Sequence, residues 1–190
     1  MTDYLHDLQF GVFIAPVAEH AQSVVELAQL ADVAGLDFVT VQDHPYQRRF
    51  LDTWTLLSVL AAETTNVRVA PNVANLPLRP PFMLARSVAT LDILSAGRVE
   101  LGVGAGAFWD GIVAAGGKRL TPGESVDALS EAIDVARAVW DVDGGPITYE
   151  GEHYRLQGAG PGRAPAHDVE IWLGNQPSAL RPVSASMRGL

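Results

Sequence analysis

The 190-residue sequence contains no cysteine, which excludes disulfides, thiolate metal sites and a cysteine nucleophile and makes the chain indifferent to redox compartment. It is also poor in positive charge: 13 Lys and Arg stand against 22 Asp and Glu, a formal net charge of -9. Such a field repels phosphate backbones and anionic lipid surfaces, so neither nucleic acid nor a membrane is an expected partner. No long apolar run opens the sequence; residues 1–9 hold Asp3, His6 and Asp7 and predict neither a signal peptide nor a membrane span, hence a cytoplasmic protein. A Gly-x-Ser-x-Gly nucleophile elbow is missing, and His6, His20, His44, His153 and His167 lack zinc-like spacing, so no metal site is expected.

What is present is an apolar chain, 48% hydrophobic and 18% charged, long enough to bury one sizeable core. Short apolar runs at 10–15, 37–42, 67–73, 98–103 and 169–173 predict five strands, and helical periodicity fills the gaps between them. Val24, Val25, Ala28 and Ala31 line one face of the first helix, which Gly35 stops. Asp52 caps the second, from Thr53. Pro81 opens the third, whose apolar positions are Met83, Leu84, Val88, Leu91 and Leu94. Thr121-Pro122-Gly123-Glu124 is a capping box for the fourth, with Val126, Leu129, Ile133 and Ala136 on one face. Residues 147–156 predict a small β-hairpin insertion turning at Glu150-Gly151. Alternating strands and helices demand an α/β fold with a parallel sheet, either doubly wound or a (β/α)8 barrel; periodicity alone leaves both open.

In both architectures the reactive groups lie just past the C-terminal strand ends. Gln42-Asp43-His44-Pro45-Tyr46 is the most informative such segment, placing an acid and an imidazole where proton transfer is wanted. Asp43 as a turn cap and His44 bonded to backbone is an equally weighted bland reading. Leu101-Gly102-Val103-Gly104-Ala105-Gly106-Ala107 matches the G-x-G-x-x-G/A nicotinamide fingerprint, but the next convincing helix starts only at Pro122. Glycines there serve close approach to a flat ring or tight packing at a strand end. Trp54, Trp140 and Trp172 fit core packing, whereas Trp109 sits in a candidate site loop.

Gly11-Val12-Phe13, Asp43-His44-Pro45, Ala70-Pro71-Asn72-Val73, the stretch 87–94 with Gly97-Arg98-Val99, and Leu101-Gly102-Val103-Gly104-Ala105-Gly106 together resemble the luciferase-like monooxygenase superfamily. The resemblance implies a (β/α)8 TIM barrel binding FMN or coenzyme F420 at its C-terminal mouth, and an oxidoreductase or monooxygenase acting on a small-molecule substrate. It assigns His44 the catalytic role, as proton-transfer group or hydrogen-bond partner of the ring, and Asp43 a cofactor contact. It implies a non-proline cis peptide at Asn72-Val73 pressing backbone against the ring, and a cofactor edge lined by Gly104, Gly106 and Asp110, with Phe108 and Trp109 nearer the substrate. Ala107 replaces a Glu of the family's sugar-phosphate dehydrogenases, which counts against that activity.

The resemblance covers residues 1–174 as the N-terminal part of such a barrel; 175–190 is expected to be an irregular non-family tail. About five of the eight strands are legible, so the expected fold is a partial barrel with two unpaired edges, predicting a homo-oligomer. The alternative is a catalytically impaired fragment or subunit of such an enzyme.

Overall fold

The strands are β1 (Gly11–Ile14), β2 (Phe38–Val41), β3 (Arg68–Pro71), β4 (Ala74–Asn75), β5 (Leu101–Gly104), β6 (Ile147–Glu150), β7 (Arg155–Ala159) and β8 (Ile171–Gly174), of which β1, β2 and β6 are rich in β-branched and aromatic residues. The helices are α1 (Ala21–Val33), α2 (Thr53–Glu63), α3 (Pro81–Leu94), α4 (Trp109–Ala114) and α5 (Pro122–Trp140). The computed structural model describes residues 8–174; the expected tail at 175–190 lies outside the described residues, as do residues 1–7.

Parallel pairing runs β1–β2–β3 and β4–β5–β8. β3 and β4 are one interrupted strand: Val69 of β3 bridges Val99 in parallel, its N–H donating to Arg98 O at 2.8 Å while Glu100 N donates to Val69 O at 3.1 Å. Five parallel strands therefore stand side by side in chain order among the described residues. That order settles the choice left open by periodicity, because a doubly wound sheet reverses direction at a switch point and a barrel does not. It also removes the nicotinamide-fold alternative.

The curvature is visible in one contact. Phe38 on β2 and Trp172 on β8 are three strand positions apart, roughly 14 Å in a flat sheet. Their ring centroids nevertheless lie 4.8 Å apart, edge to face at 83°, and the Arg68 guanidinium sits 4.0 Å from the Phe38 ring centroid. The sheet is strongly bent, with these side chains inside it. β1 and β8 each have one paired neighbour among the described residues, and Phe13 (57%) and Leu173 (49%) remain exposed beside those edges.

Several helix signals have the expected physical form. The Asp52 side chain accepts from Thr55 N, and Thr121 and Glu124 form both halves of the capping box. Gly35 takes a φ of 75°, open to glycine and strained for other residues. Leu57 and Leu60 of α2 are fully buried beside Val39, Val41 and Val69 in one core, each such burial being worth about 1.5–3 kcal/mol.

Three expectations need correction. Met83 and Leu94, assigned to the apolar face of α3, are 58% and 77% exposed, while Leu84, Val88 and Leu91 are buried; the two outliers lie on a stripe facing a groove beside α2 that no described element covers. On α5 Ala136 is buried as expected, but the rest of the buried line is Ser125, Ala128, Ala132, Val135 and Val139, with Val126, Leu129 and Ile133 only partly buried. Small residues there let α5 approach α3, where Ala85 and Ala89 are also buried, and the larger side chains flank the contact. Finally, α4 opens at Trp109, well before Pro122.

A buried ionic cluster closes the N-terminal end of the sheet. The His167 ring reaches Asp92 Oδ1 from Nδ1 (2.9 Å) and Glu100 Oε1 from Nε2 (3.2 Å), and Arg68 Nη1 donates to the same Glu100 oxygen at 2.9 Å. Asp92 also accepts from Val99 N, Ala166 N and His167 N, and Glu100 from Glu170 N, so the cluster ties the segment entering β8 to α3 and β5. Burial works against the His167 charge, but hydrogen bonds and charges from Asp92 and Glu100 outweigh it and raise the ring above its ordinary 6.5. A raised folded-state value means stability fully present below pH 6.5 and lost as pH rises through that higher value. The urea midpoint should therefore fall between about pH 6 and about pH 9, and His167→Gln should flatten that slope. Equal slopes in the two chains would refute the assignment.

Candidate active site

The C-terminal strand ends bring together most of the residues singled out in the sequence. Past β2, Gln42 O accepts a 2.7 Å bond from Thr53 Oγ1, fixing the corner from which Asp43 and His44 project. Asp43 is 3% exposed. Its Oδ2 accepts from Arg79 Nε (2.6 Å) and Asn75 N (2.9 Å), and its Oδ1 from Arg79 Nη2 (2.8 Å). Arg79 Nη2 also reaches Asp52 Oδ2 at 2.7 Å. Burial disfavours the guanidinium charge, but Asp43 and Asp52 more than compensate and raise its pKa. The same contact and the N-cap bond hold the Asp52 carboxyl below its usual range despite partial burial.

Asp43 thus has a structural task beside the cofactor contact expected of it. Both carboxylate oxygens are occupied inside the protein, where they lock the ends of β2 and β4 and the start of α2 into one frame. Arg79 is the partner of Asp43 to which the sequence did not point. Its signal was a single cation in the apolar stretch Leu76-Pro77-Leu78-Arg79-Pro80-Pro81.

His44 is half-buried. Its Nδ1 lies 2.8 Å from Tyr46 Oη, and its ring centroid is 5.4 Å from Tyr46 and 5.3 Å from Phe108. Desolvation lowers the His44 pKa below 6.5, partly opposed by the Asp43 charge, so the neutral imidazole prevails at pH 7. Burial, reinforced by Asp43, pushes the Tyr46 phenol up. Phe108 adopts φ 55° and is 67% exposed, projecting from the loop that starts α4.

The peptide Asn72–Val73 is cis and lies between β3 and β4. Asn72 N donates to Val41 O at 2.7 Å, and its side chain is exposed. Val73 is partly exposed and lies over glycines of two neighbouring strands: a Cβ on Gly104 would meet Val73 Cγ2 at 2.6 Å, and one on Gly174 at 2.8 Å. A Cβ on Gly102 would collide with Pro71 O. Packing thus explains Gly102 and Gly104. Gly106, at φ 108°, is pressed between Pro77 and Trp109. Asp110 is fully exposed and ion-paired with Arg119.

A strand-order barrel whose mouth carries Asp43-His44 beside a cis Asn72–Val73 already matches the resemblance, and the comparison of sequences agrees: the luciferase-like monooxygenase family model matches residues 8–183. The chain belongs to that family. This luciferase-like chain is 26% identical over 182 residues to the 5,10-methylenetetrahydromethanopterin reductase of Archaeoglobus fulgidus, covering 95% of itself and 51% of that relative. It is 30% identical over 177 residues to the F420-dependent glucose-6-phosphate dehydrogenase of Nocardia farcinica, covering 88% and 51%.

Among solved structures, an F420-dependent secondary alcohol dehydrogenase in complex with an F420-acetone adduct superposes with TM-score 0.77 at 26% identity, over 87% of this chain and 51% of that one. The FMN complex of the oxygenating constituent of 3,6-diketocamphane monooxygenase from Pseudomonas putida shares the fold, with TM-score 0.70 at 23% identity over 87% and 50%. The luciferase-like chain spans about half the length of the curated relatives it matches, and its fold is the corresponding part of a TIM barrel.

Proposed function

We propose that this chain forms part of an oxidoreductase that uses F420 or FMN at the mouth of the barrel and acts on a small organic molecule, with His44 as the catalytic residue. One observation carries the reading: a neutral, half-exposed imidazole stands at the end of β2, on a frame fixed by the buried Asp43–Arg79 pair. The F420- and FMN-dependent relatives support the cofactor class.

The residues present fit a planar ring. Gly104 and Gly174 stand opposite one another in register, and lacking side chains they leave Val73 as a low, partly exposed floor beside His44. Val73 and Asn72 would carry the ring, with the backbone of Gly104 and Gly106 at its edge and Asp110 at the rim. A bound flavin or deazaflavin supplies hydride chemistry, which no protein side chain can perform. The neutral His44 ring can donate a hydrogen bond to an oxygen that gains charge during the reaction. Phe108 offers an exposed aromatic wall for an apolar substrate part.

The test is titration of the full chain with F420 and with FMN, following cofactor absorbance and tryptophan fluorescence. Saturable binding is expected, tighter for F420, and His44→Ala should weaken it. Folded chain that binds neither would overturn the reading and favour a non-catalytic subunit. The reading includes self-association, motivated by the single-sided pairing of β1 and β8; a monodisperse monomer in sedimentation at micromolar concentration would exclude it.

A further inference from the structure

The segment Asp43-His44-Pro45-Tyr46 places a phenol and an imidazole two residues apart, and the fold brings them into hydrogen-bond contact at 2.8 Å. Tyr46 is held from behind by α4: a Cβ on Gly111 would come within 2.8 Å of Tyr46 Cγ, so glycine is what lets the ring lie there. Phe108 closes the other side, 6.3 Å from Tyr46 and 5.3 Å from His44. Both rings are therefore braced, and the contact between them is a built feature of the mouth.

The direction of that bond follows from acid–base chemistry. A phenol is a stronger hydrogen-bond donor than a neutral imidazole N–H, and an imidazole nitrogen is a better acceptor than a phenol oxygen. Tyr46 O–H therefore donates to His44 Nδ1. The neutral ring has one proton left to place, and it goes on Nε2. Among the described residues Nε2 has no hydrogen-bond partner, yet it is not a buried unpartnered atom, so it opens to solvent at the mouth.

We infer that Tyr46 is a positioning residue, which fixes His44 in the Nε2–H tautomer and turns it into a hydrogen-bond donor toward whatever binds at the mouth. The catalytic consequence rests on the function proposed above; the tautomer does not. Asp43 cannot take this part, because Arg79 and Asn75 N–H occupy its carboxylate.

The experiment is nitrogen-15 NMR of the histidine rings in the full chain near pH 7.5, with the His44 signals assigned from His44→Gln. The native chain should show Nδ1 as an unprotonated, hydrogen-bonded acceptor and Nε2 protonated. Tyr46→Phe keeps the ring and its packing while deleting the donor. Because that bond favours the neutral imidazole, its loss should raise the His44 pKa by roughly 0.3–1 unit and move the Nδ1 shift toward the free-acceptor value. His20 and His167 should not move, and Asp43, held by Arg79 in both chains, contributes equally to both. A proton found on Nδ1 in the native chain, or a His44 signal and pKa indifferent to Tyr46→Phe, would overturn the inference. Failure of the functional reading looks different: His44→Ala then leaves turnover unchanged while the tautomer result stands.

Discussion

Arg79→Ala is expected to be the most destabilising single change at the mouth, lowering the thermal midpoint by roughly 6–12 °C. The guanidinium takes both oxygens of a carboxylate whose side chain is 1% exposed. Without it, Asp43 keeps only the Asn75 N–H among the described residues, and an uncompensated buried charge costs about 3–5 kcal/mol. Arg79 is itself 18% exposed, so water reaches its side of the pair and the lower end of that range applies, against a total stability of about 5–15 kcal/mol. Arg79→Lys retains charge but not the planar fork, and should fall between. Pairing Arg79→Ala with Asp43→Asn should recover part of the loss, since the charge left behind is then gone. Calorimetry decides: a midpoint shift within about 2 °C would show that the pair contributes little.

His44→Ala is expected to reduce turnover roughly 10²–10³-fold, the usual cost of deleting one preorganised donor at a centre of developing charge. The side chain is half-exposed and, among the described residues, hydrogen-bonded only to Tyr46, so the fold should survive, with circular dichroism unchanged and a stability effect of about 1 kcal/mol or less. If the neutral ring is the active form, as proposed, its pKa below 6.5 means that turnover should be flat through neutral pH and fall only as acid protonates Nδ1. His44→Gln, which restores an N–H donor, should recover part of the rate. Undiminished turnover in His44→Ala would remove His44 from the chemistry.

The two expectations draw on different kinds of legibility. Asp43 and His44 were readable as a pair because they follow an apolar run, and parallel strands put such residues at the mouth. Arg79 was not, since its importance depends on a partner 36 positions away and no local pattern encodes that distance. Tyr46 stood in plain view beside His44, but its hydroxyl became informative only with the 2.8 Å contact. The Gly102–Gly104 pair carried two readings of equal standing, and packing against Pro71 O and Val73 accounts for glycine at both positions.

Helix faces show the same division. The existence and ends of α2 and α5 were local matters, written in Asp52 and in Thr121 with Glu124. Which stripe of α5 turns inward was not, because Ser125, Ala128 and Ala132 are small rather than strongly apolar, and they are buried for their size against α3.

By itself, then, the sequence determined the order of the parallel strands and of the long helices, though not the short α4, together with the caps and stops, the lack of any thiol chemistry and the candidate imidazole at position 44. These are properties of neighbouring residues, governed by backbone preference and hydrophobic period. Only the tertiary structure decided for a barrel over a doubly wound sheet, for Asp43 as a buried brace, for Arg79 as its partner and for Tyr46 as the donor to His44. Each of those depends on strand order or on contacts made across the closing sheet, and a linear pattern carries no term for either.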